Sequence, residues 1–223
     1  MADGHHRYET AVNYREEMRA AGAGEGPHDY VMMHLVDFDG GLSILPTHRM
    51  LSDMNDLNTG EFLSGLDTDF DVEKIGPADR DTGALFERMG DGPGKKIGMC
   101  LTGQGQFLLT LKANASNDTQ EAREFCDGWP NLDVNILQYL IFNKRLNITK
   151  ADVEAQCYVS YTRDVAGGVS KVASGRAQAL FLLNPTLAEE VREIANAGDR
   201  MPQKSTYFYP KLLTGLVFNS LDS

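Results

Sequence analysis

The chain of 223 residues carries a formal net charge of −11 and is 42% hydrophobic and 24% charged, as is typical of soluble globular domains. This negative charge argues against broad electrostatic binding to nucleic acid or to an anionic membrane, while a local basic pocket for a small anion remains compatible with it. No apolar run reaches the ~20 residues that span a bilayer, and the N-terminus lacks the apolar core of a signal peptide. The three cysteines, Cys100, Cys126 and Cys157, form no CxxC pair and are typical of reduced thiols in a cytoplasmic protein, the localisation that we expect.

The first part of the chain is predicted to begin with a helix and a hairpin. Apolar residues at helical spacing predict a helix over residues 8–20, ended by the glycines and proline of the segment AAGAGEGP. A nearly continuous apolar run over 28–38 predicts a strand that pairs as a hairpin with a second strand over 42–46. The segment 47–57 is predicted to be a loop that enters a short helix.

A second hairpin is predicted after one more strand and helix. The strand covers 69–75, the helix 81–92 and the hairpin 95–112, with TGQGQ as its turn. Neither TGQGQ nor the upstream DGPGKK has the strand–GxGxxG–helix arrangement of a dinucleotide site. Both are therefore interpreted as turns.

The remainder is predicted to alternate helices and strands. A polar connection with a short helix leads to a strong helix over 132–148, which has Asp133 near its start, and to a helix N-capped by Thr149. A strand over 157–163, a helix over 164–175 and a buried strand over 177–185 follow. The next helix is capped by Thr186, with Glu189 in a capping box, and ends at Gly198, and a loop from Met201 then leads to a last strand. This order predicts a mixed α/β fold rather than a regular parallel barrel. We divide the chain into residues 1–115 and 116–223, two parts that could pack as one unit.

The opening segment DGHHR lies directly before the first predicted helix. A helix N-terminus offers unpaired N–H groups and partial positive charge, and Gly4 would let the backbone approach a ligand closely. Arg7, with His5 or His6 when protonated, would add donors and complete a socket for phosphate. Asp3 would repel a phosphate and fits better as a helix cap, a Mg²⁺ ligand or an acceptor for the proton of a reacting hydroxyl. The alternatives are ordinary surface residues and, less well supported, a zinc site.

A second basic cluster follows Pro46, in the segment PTHR. Thr47, His48 and Arg49 could donate hydrogen bonds to a phosphate or to a substrate carboxylate. The alternative is a surface loop with a structural salt bridge.

A third basic cluster lies near the C-terminus, in the segment PQKSTYFYPK. Lys204, Ser205 and Thr206 form a cationic stretch with hydroxyl donors suited to a phosphoryl group, although the glycines of a P-loop are absent. The alternative is a turn packed by the aromatic residues that follow. Tyr161 and Arg163 either line the same pocket or form a cross-strand pair.

The chain also resembles known families. ADGHHRYETA resembles the phosphate-binding motif of the ParB/sulfiredoxin-like fold, and its DGHHR is similar to the form found in free serine kinases. More widely, the chain resembles domain-of-unknown-function family 1015 in ADGHHRYETA, DYVMMHLV, LSILPTHR, LDVNILQYLI, YTRD, ALFLLNPT and MPQKSTYFYPKLLTGLV. These stretches run from Ala2 almost to the C-terminus.

The resemblance implies a mixed α/β fold with a ParB/sulfiredoxin-like core, followed by a strand-helix C-terminal region. Family members carry a substantial segment upstream of the DGHHR motif. In the serine kinases this upstream segment is thought to supply a carboxylate as general base. We therefore expect this chain to be a fragment, or a gene model begun too late, that lacks the N-terminal part of the core and that base.

The clusters and the resemblance together predict a small-molecule kinase that phosphorylates free L-serine from ATP, ADP or pyrophosphate. Asp3, His5 and His6 would be catalytic, Asp3 would hold Mg²⁺, and phosphate would be bound by Gly4, Arg7 and the two later clusters. The partner is a small molecule rather than nucleic acid or a membrane. The alternative is a nucleotide-binding regulatory module or slow nucleotidase. Sulfiredoxin-type repair is disfavoured because histidines stand where that motif needs a cysteine.

Overall fold

The structure, a computed structural model, describes residues 4–37, 41, 43–211, 213 and 215–221. Its strands are β1 (Ser43–Leu45), β2 (His48–Leu51), β3 (Phe70–Gly76), β4 (Lys96–Leu101), β5 (Gly105–Leu111), β6 (Val159–Thr162), β7 (Ala179–Leu182) and β8 (Tyr207–Tyr209). Its helices are α1 (His5–Ala20), α2 (Thr59–Leu66), α3 (Gly83–Gly90), α4 (Gln120–Phe125), α5 (Asp133–Ile136), α6 (Lys144–Leu146), α7 (Lys150–Glu154), α8 (Val165–Ala173) and α9 (Ala188–Asn196), with 3₁₀ turns at Pro27–Asp29 and Ser116–Asp118. The mixed α/β class predicted from the sequence is confirmed.

The chain forms two compact units. Unit 1 comprises the described residues of Met1–Leu45, Leu187–Arg200 and Phe208–Ser223, and unit 2 comprises Pro46–Thr186 and Met201–Tyr207. The sheet of unit 2 takes strands from both sides of residue 115. The division after residue 115, like the ParB/sulfiredoxin-like core and its missing N-terminal part, stays a prediction.

A six-stranded sheet organises unit 2. Its strand order is β3-β5-β4-β7-β2-β6, and every neighbouring pair is antiparallel. In β2, which lies between β7 and the edge strand β6, Arg49 lies opposite Tyr161 on one side and Phe181 on the other. Because directly opposed residues point to the same face of a sheet, these three side chains share one face, while His48 and Met50 share the other.

Helices cover both faces of this sheet. On the face of Met50, the helices α3 and α8 complete a buried cluster that contains Leu85, Met89 and Val172. The approach of α3 is close at Gly98 in β4, where an added methyl group would lie 2.7 Å from the sulfur of Met89. On the opposite face, the ring of Phe142 meets Phe181 edge-on at 5.4 Å.

Phe142 belongs to the strong helix predicted over 132–148, which is confirmed. It begins at Asp133 and runs through α5, a π-helical stretch at Leu137–Asn143 and α6. Leu137, Leu140, Ile141 and Phe142 are all fully buried. A helix buried on most sides in this way forms a layer of the core rather than a surface element.

Several other predictions are confirmed. The helix α3, the hairpin β4–β5, and the series β6, α8 and β7 all lie within the predicted segments, and β3 extends one residue beyond its predicted end, to Gly76. Thr149 N-caps α7, since its side chain accepts a hydrogen bond from the Asp152 N–H at 3.2 Å. The first helix is also confirmed, although α1 begins three residues earlier, at His5, and buries no residue completely.

The strand predicted over 28–38 is wrong, and so is its hairpin with 42–46. Pro27–Asp29 is a 3₁₀ turn, and residues 30–37 form no strand. Strand β1 pairs instead with β8, in a two-stranded sheet. Several side chains of the apolar run are exposed, with Leu35 at 88%. An apolar run becomes a strand only when another strand supplies its hydrogen bonds, which composition does not reveal.

Two further predictions are corrected by the structure. Residues 48–51 form the buried strand β2 rather than a loop. Helix α9 is not capped by Thr186 and Glu189, because its N-cap residue is Leu187, whose N–H donates to Glu190 at 2.9 Å. The Thr186 hydroxyl donates instead to the Ser205 carbonyl at 3.1 Å.

Candidate anion-binding residues

The N-terminal motif, Gly4–Arg7, forms the start of α1. Gly4 is the N-cap residue and has φ 85°, a left-handed conformation that glycine adopts without strain. Its carbonyl accepts the first helical hydrogen bond, from the Tyr8 N–H at 3.0 Å. Among the residues that the structure describes, no side chain caps this end, and the first turn holds no acidic residue. Asp3, predicted as catalytic residue and Mg²⁺ ligand, lies outside the described residues.

Basic side chains surround this helix start. A methyl group added to Gly4 would lie 3.2 Å from Nη2 of Arg7, so the guanidinium folds back over the glycine. The side chain of His6 is 94% exposed, and its Nδ1 lies 3.5 Å from a carboxylate oxygen of Glu9. His5 is half-buried. The motif is thus an accessible helix N-terminus with a guanidinium beside it, the arrangement that binds phosphate.

His48 is buried and acts as a hydrogen-bond acceptor. Only 3% of the residue is exposed, and its Nδ1 accepts from the Leu183 N–H at 3.2 Å. Burial, helped by the positive charge of Arg49, lowers the pKa of His48 to about 4. His48 is therefore neutral at pH 7 and contributes no positive charge to the predicted cluster.

Arg49 is the largest fully buried side chain, with 1% of the residue exposed. Its Nη1 donates to the carbonyl of Thr47, and its Nη2 donates to the carbonyl of Lys204 at 3.1 Å. Burial lowers the pKa of Arg49 to about 10, which leaves the guanidinium charged at neutral pH. It lies 5.4 Å from the centre of the Tyr161 ring.

Lys204, Ser205 and Thr206 lie in a tight loop. Lys204 is exposed and has φ 55°, while Ser205 is buried. The Ser205 hydroxyl donates to the carbonyl of Pro202 at 2.6 Å, so this donor is already used within the loop. The loop is tied to Thr186 through the Ser205 carbonyl.

The structure brings two of the three predicted clusters together. The bond from Arg49 to Lys204 joins Thr47–Arg49 to Lys204–Thr206 within unit 2, and these six residues are called the Arg49 cluster. Beside it, the guanidinium of Arg163 lies 3.7 Å from the centre of the Tyr207 ring. The N-terminal motif belongs to unit 1, and its convergence with the Arg49 cluster stays a prediction.

The burial of Arg49 is the feature that sequence patterns did not predict. Arginine in the middle of a strand is normally taken for an edge or surface residue, because an unpaired buried charge is costly. Apart from the Thr47 carbonyl, the partners that hold it come from more than one hundred residues away in the chain. The one local signal was Pro46, which often precedes a strand.

Metal and thiol chemistry receive no support from the described residues. Among them, no group of three His, Cys, Asp or Glu side chains could hold a metal ion. The three cysteines are free. Burial raises the pKa of Cys100 to about 12 and that of Cys126 to about 11, so neither thiol ionises readily.

Within the described part of the chain, no helix is both long and apolar enough to cross a membrane. No curated protein matches the chain. A conserved hypothetical protein from Pyrococcus furiosus has a similar structure, with a TM-score of 0.44 and 12% sequence identity over 93% of this chain and 68% of that one. The model of the family "Protein of unknown function (DUF1015)" matches residues 1–135, more than half of the sequence. The chain therefore belongs to the DUF1015 family.

Proposed function

We propose that this protein is a small-molecule phosphotransferase, acting on the hydroxyl of an acceptor such as free L-serine, with ATP, ADP or pyrophosphate as donor. The observation that carries the proposal is the start of α1. Gly4 in the left-handed conformation, the N-terminus of α1 and the folded-back guanidinium of Arg7 form one positively polarised surface. We assign it as the ParB/sulfiredoxin-like phosphate motif.

The chemistry that this surface would perform is electrostatic. The acceptor oxygen attacks the terminal phosphorus, the bond to the leaving phosphate oxygen breaks, and the hydroxyl proton passes to a base. The N–H groups of the helix start and Arg7 would stabilise the charge on the phosphoryl oxygens. Asp3, His5 and His6 are the candidate bases. Mg²⁺ belongs to the proposal through Asp3 alone.

The proposal is tested by incubating the purified full-length protein with L-serine, Mg²⁺ and each donor in turn, and measuring phosphoserine by mass spectrometry. We expect phosphoserine with at least one donor. Replacing Arg7 by Gln should lower kcat/KM about 100-fold, because a charge-assisted contact to the phosphoryl group is lost.

The matched control is Arg15→Gln on the same helix. Arg15 pairs with Glu16 at 2.6 Å, so this change removes an arginine without touching the helix start, and activity should stay within about two-fold. Folded chain that forms no phosphoserine with any donor would overturn the kinase proposal.

The second candidate is a nucleotide-binding regulatory module located, like the kinase, in the cytoplasm. It rests on the same helix start, which can bind a phosphate without transferring it. Thermal stabilisation by ATP or ADP that is lost in Arg7→Gln, without phosphoserine formation, would select this function.

A further inference from the structure

The guanidinium of Arg49 is buried without an anionic partner. Its two bonded nitrogens meet carbonyl oxygens of Thr47 and Lys204, and its Nε is buried with no hydrogen-bond partner among the described residues. No described acidic side chain pairs with it. Carbonyl dipoles and an aromatic ring compensate a buried charge less completely than an oxyanion does.

The cover over this guanidinium is thin on one side. The group that faces Nη2 is the backbone carbonyl of Lys204, a residue that is itself exposed. Lys204 also adopts the left-handed conformation, which is unfavourable for a residue with a Cβ atom. A shift of this one residue would free one of the donors of Arg49.

Other cations lie around the same place. Tyr161 lies on the face of the sheet that carries Arg49, and Arg163 directly follows the last residue of β6. The guanidinium of Arg163 stacks on Tyr207, next to the loop that holds Lys204. Burial raises the pKa of Tyr161, the positive charge of Arg49 lowers it, and the negative charge of Glu154 raises it.

We propose that Arg49, with Lys204 and Arg163 at its rim, binds the carboxylate or phosphate group of a small molecule, which displaces the Lys204 carbonyl from the guanidinium. All the residues of this site lie in unit 2. The assignment of this site to the anionic group of the acceptor rests on the proposed function, whereas the binding of an oxyanion by Arg49 does not depend on it.

The experiment follows the Nε–H signal of Arg49 in ¹H–¹⁵N spectra of the full chain labelled with ¹⁵N-arginine. Sodium phosphate and sodium acetate are titrated at constant ionic strength against sodium chloride. We expect the Arg49 signal to shift and saturate with phosphate, acetate or both, and chloride to have no saturable effect. The two arms identify which oxyanion the site prefers.

Three variants make the result specific. Arg49→Lys removes the signal and assigns it. Lys204→Gly keeps the carbonyl and fits the positive φ, and the loss of the ammonium group should weaken binding by three-fold or more. Arg88→Gln is the control, because Arg88 lies in the same unit and pairs with Glu73 at the surface, and it should leave the titration unchanged.

The absence of a saturable shift with both phosphate and acetate would overturn the proposal, and so would an equal response to chloride. The titration is made on the wild-type chain, so it remains decisive even where a variant fails to fold. It requires no turnover, and failure here is therefore distinguishable from failure to form phosphoserine.

Discussion

Two arginines in unit 2 are held in different ways. Arg145, in α6, donates to the carboxylate of Asp69 at 2.8 Å. That carboxylate also accepts from the backbone N–H of Ser116 at 3.0 Å and from its hydroxyl at 2.9 Å. Arg49 is more deeply buried and meets only carbonyl oxygens and a ring.

The pKa values reflect this difference. Burial alone would raise the pKa of Asp69, but the hydrogen bonds from Ser116 and Arg145 outweigh it and the pKa falls. Burial is the largest effect at Arg49 and lowers its pKa, with no carboxylate to oppose it. A buried charge with its counter-ion holds elements of the fold together, whereas a buried charge without one is a candidate for binding.

The largest effect is expected at the paired arginine. Asp69→Asn should lower the free energy of unfolding by about 3 kcal/mol at pH 7, because it leaves Arg145 without its counter-ion. Urea denaturation measures the change. Glu73→Gln is the control, since its pair with Arg88 is about half exposed and its loss should cost less than about 1 kcal/mol. Equal losses in the two variants would contradict the distinction between buried and surface pairs.

His48 is another buried titratable side chain, and unlike the two arginines it is neutral at pH 7. Its pKa is lowered from 6.5 to about 4, so the unfolded chain binds the proton more tightly than the folded one. The stability that depends on neutral His48 is complete above pH 6.5 and is lost as the pH falls towards 4.

The matched variant is His48→Asn, which keeps an acceptor for the Leu183 N–H and does not titrate. Between pH 7 and pH 4 the wild type should lose up to about 3 kcal/mol more than this variant. Urea unfolding at a series of pH values gives both curves. Parallel curves would show that His48 protonates freely in the folded state.

Gly98→Ala shows how much stability is lost when a buried position is changed without any change of charge. The added methyl group would contact Met89, Leu85 and Leu182, so we expect a loss of about 1–3 kcal/mol. Gly90→Ala at the exposed end of α3, where the methyl group meets nothing within 4 Å, is the control. If Gly98→Ala is as harmless as Gly90→Ala, this face of the sheet is packed less closely than the structure indicates.

The smallest effect on stability is expected at the unpaired arginine. Arg49→Met should change the free energy of unfolding by less than about 1 kcal/mol, because two lost hydrogen bonds are offset by the removal of a buried charge. The same urea experiment measures it. A loss as large as that of Asp69→Asn would make Arg49 a structural residue and end the contrast between the two arginines.

The sequence predicted the elements whose signals are local. The hairpin β4–β5 is marked by a glycine turn between apolar runs, and Thr149 lies three residues before an acidic partner. The apolar run over 28–38 failed as a strand because its signal contained no information about a partner strand. The π-helical stretch at Leu137–Asn143 was not predicted, since its hydrophobic pattern resembles that of a buried α-helix.

Less of the candidate site was predictable. The DGHHR segment correctly placed a glycine at the start of a helix, because glycine and a following helical pattern are both visible in the sequence. The sequence also singled out both His48 and Arg49, but it placed them on a surface loop as donors. Their burial depends on β6, β7 and the loop at Lys204, which are distant in the chain.

The position of β2 between β6 and β7 has a consequence for synthesis of the protein. Both neighbours of β2 emerge from the ribosome more than one hundred residues after it, at roughly 5–20 residues per second. For several seconds this strand has neither of its native edges covered, while β3, β4 and β5 already have one another. Within the six-stranded sheet, the strand that carries Arg49 therefore waits longest for its neighbours, and a chaperone that binds the nascent chain there would protect its unpaired backbone.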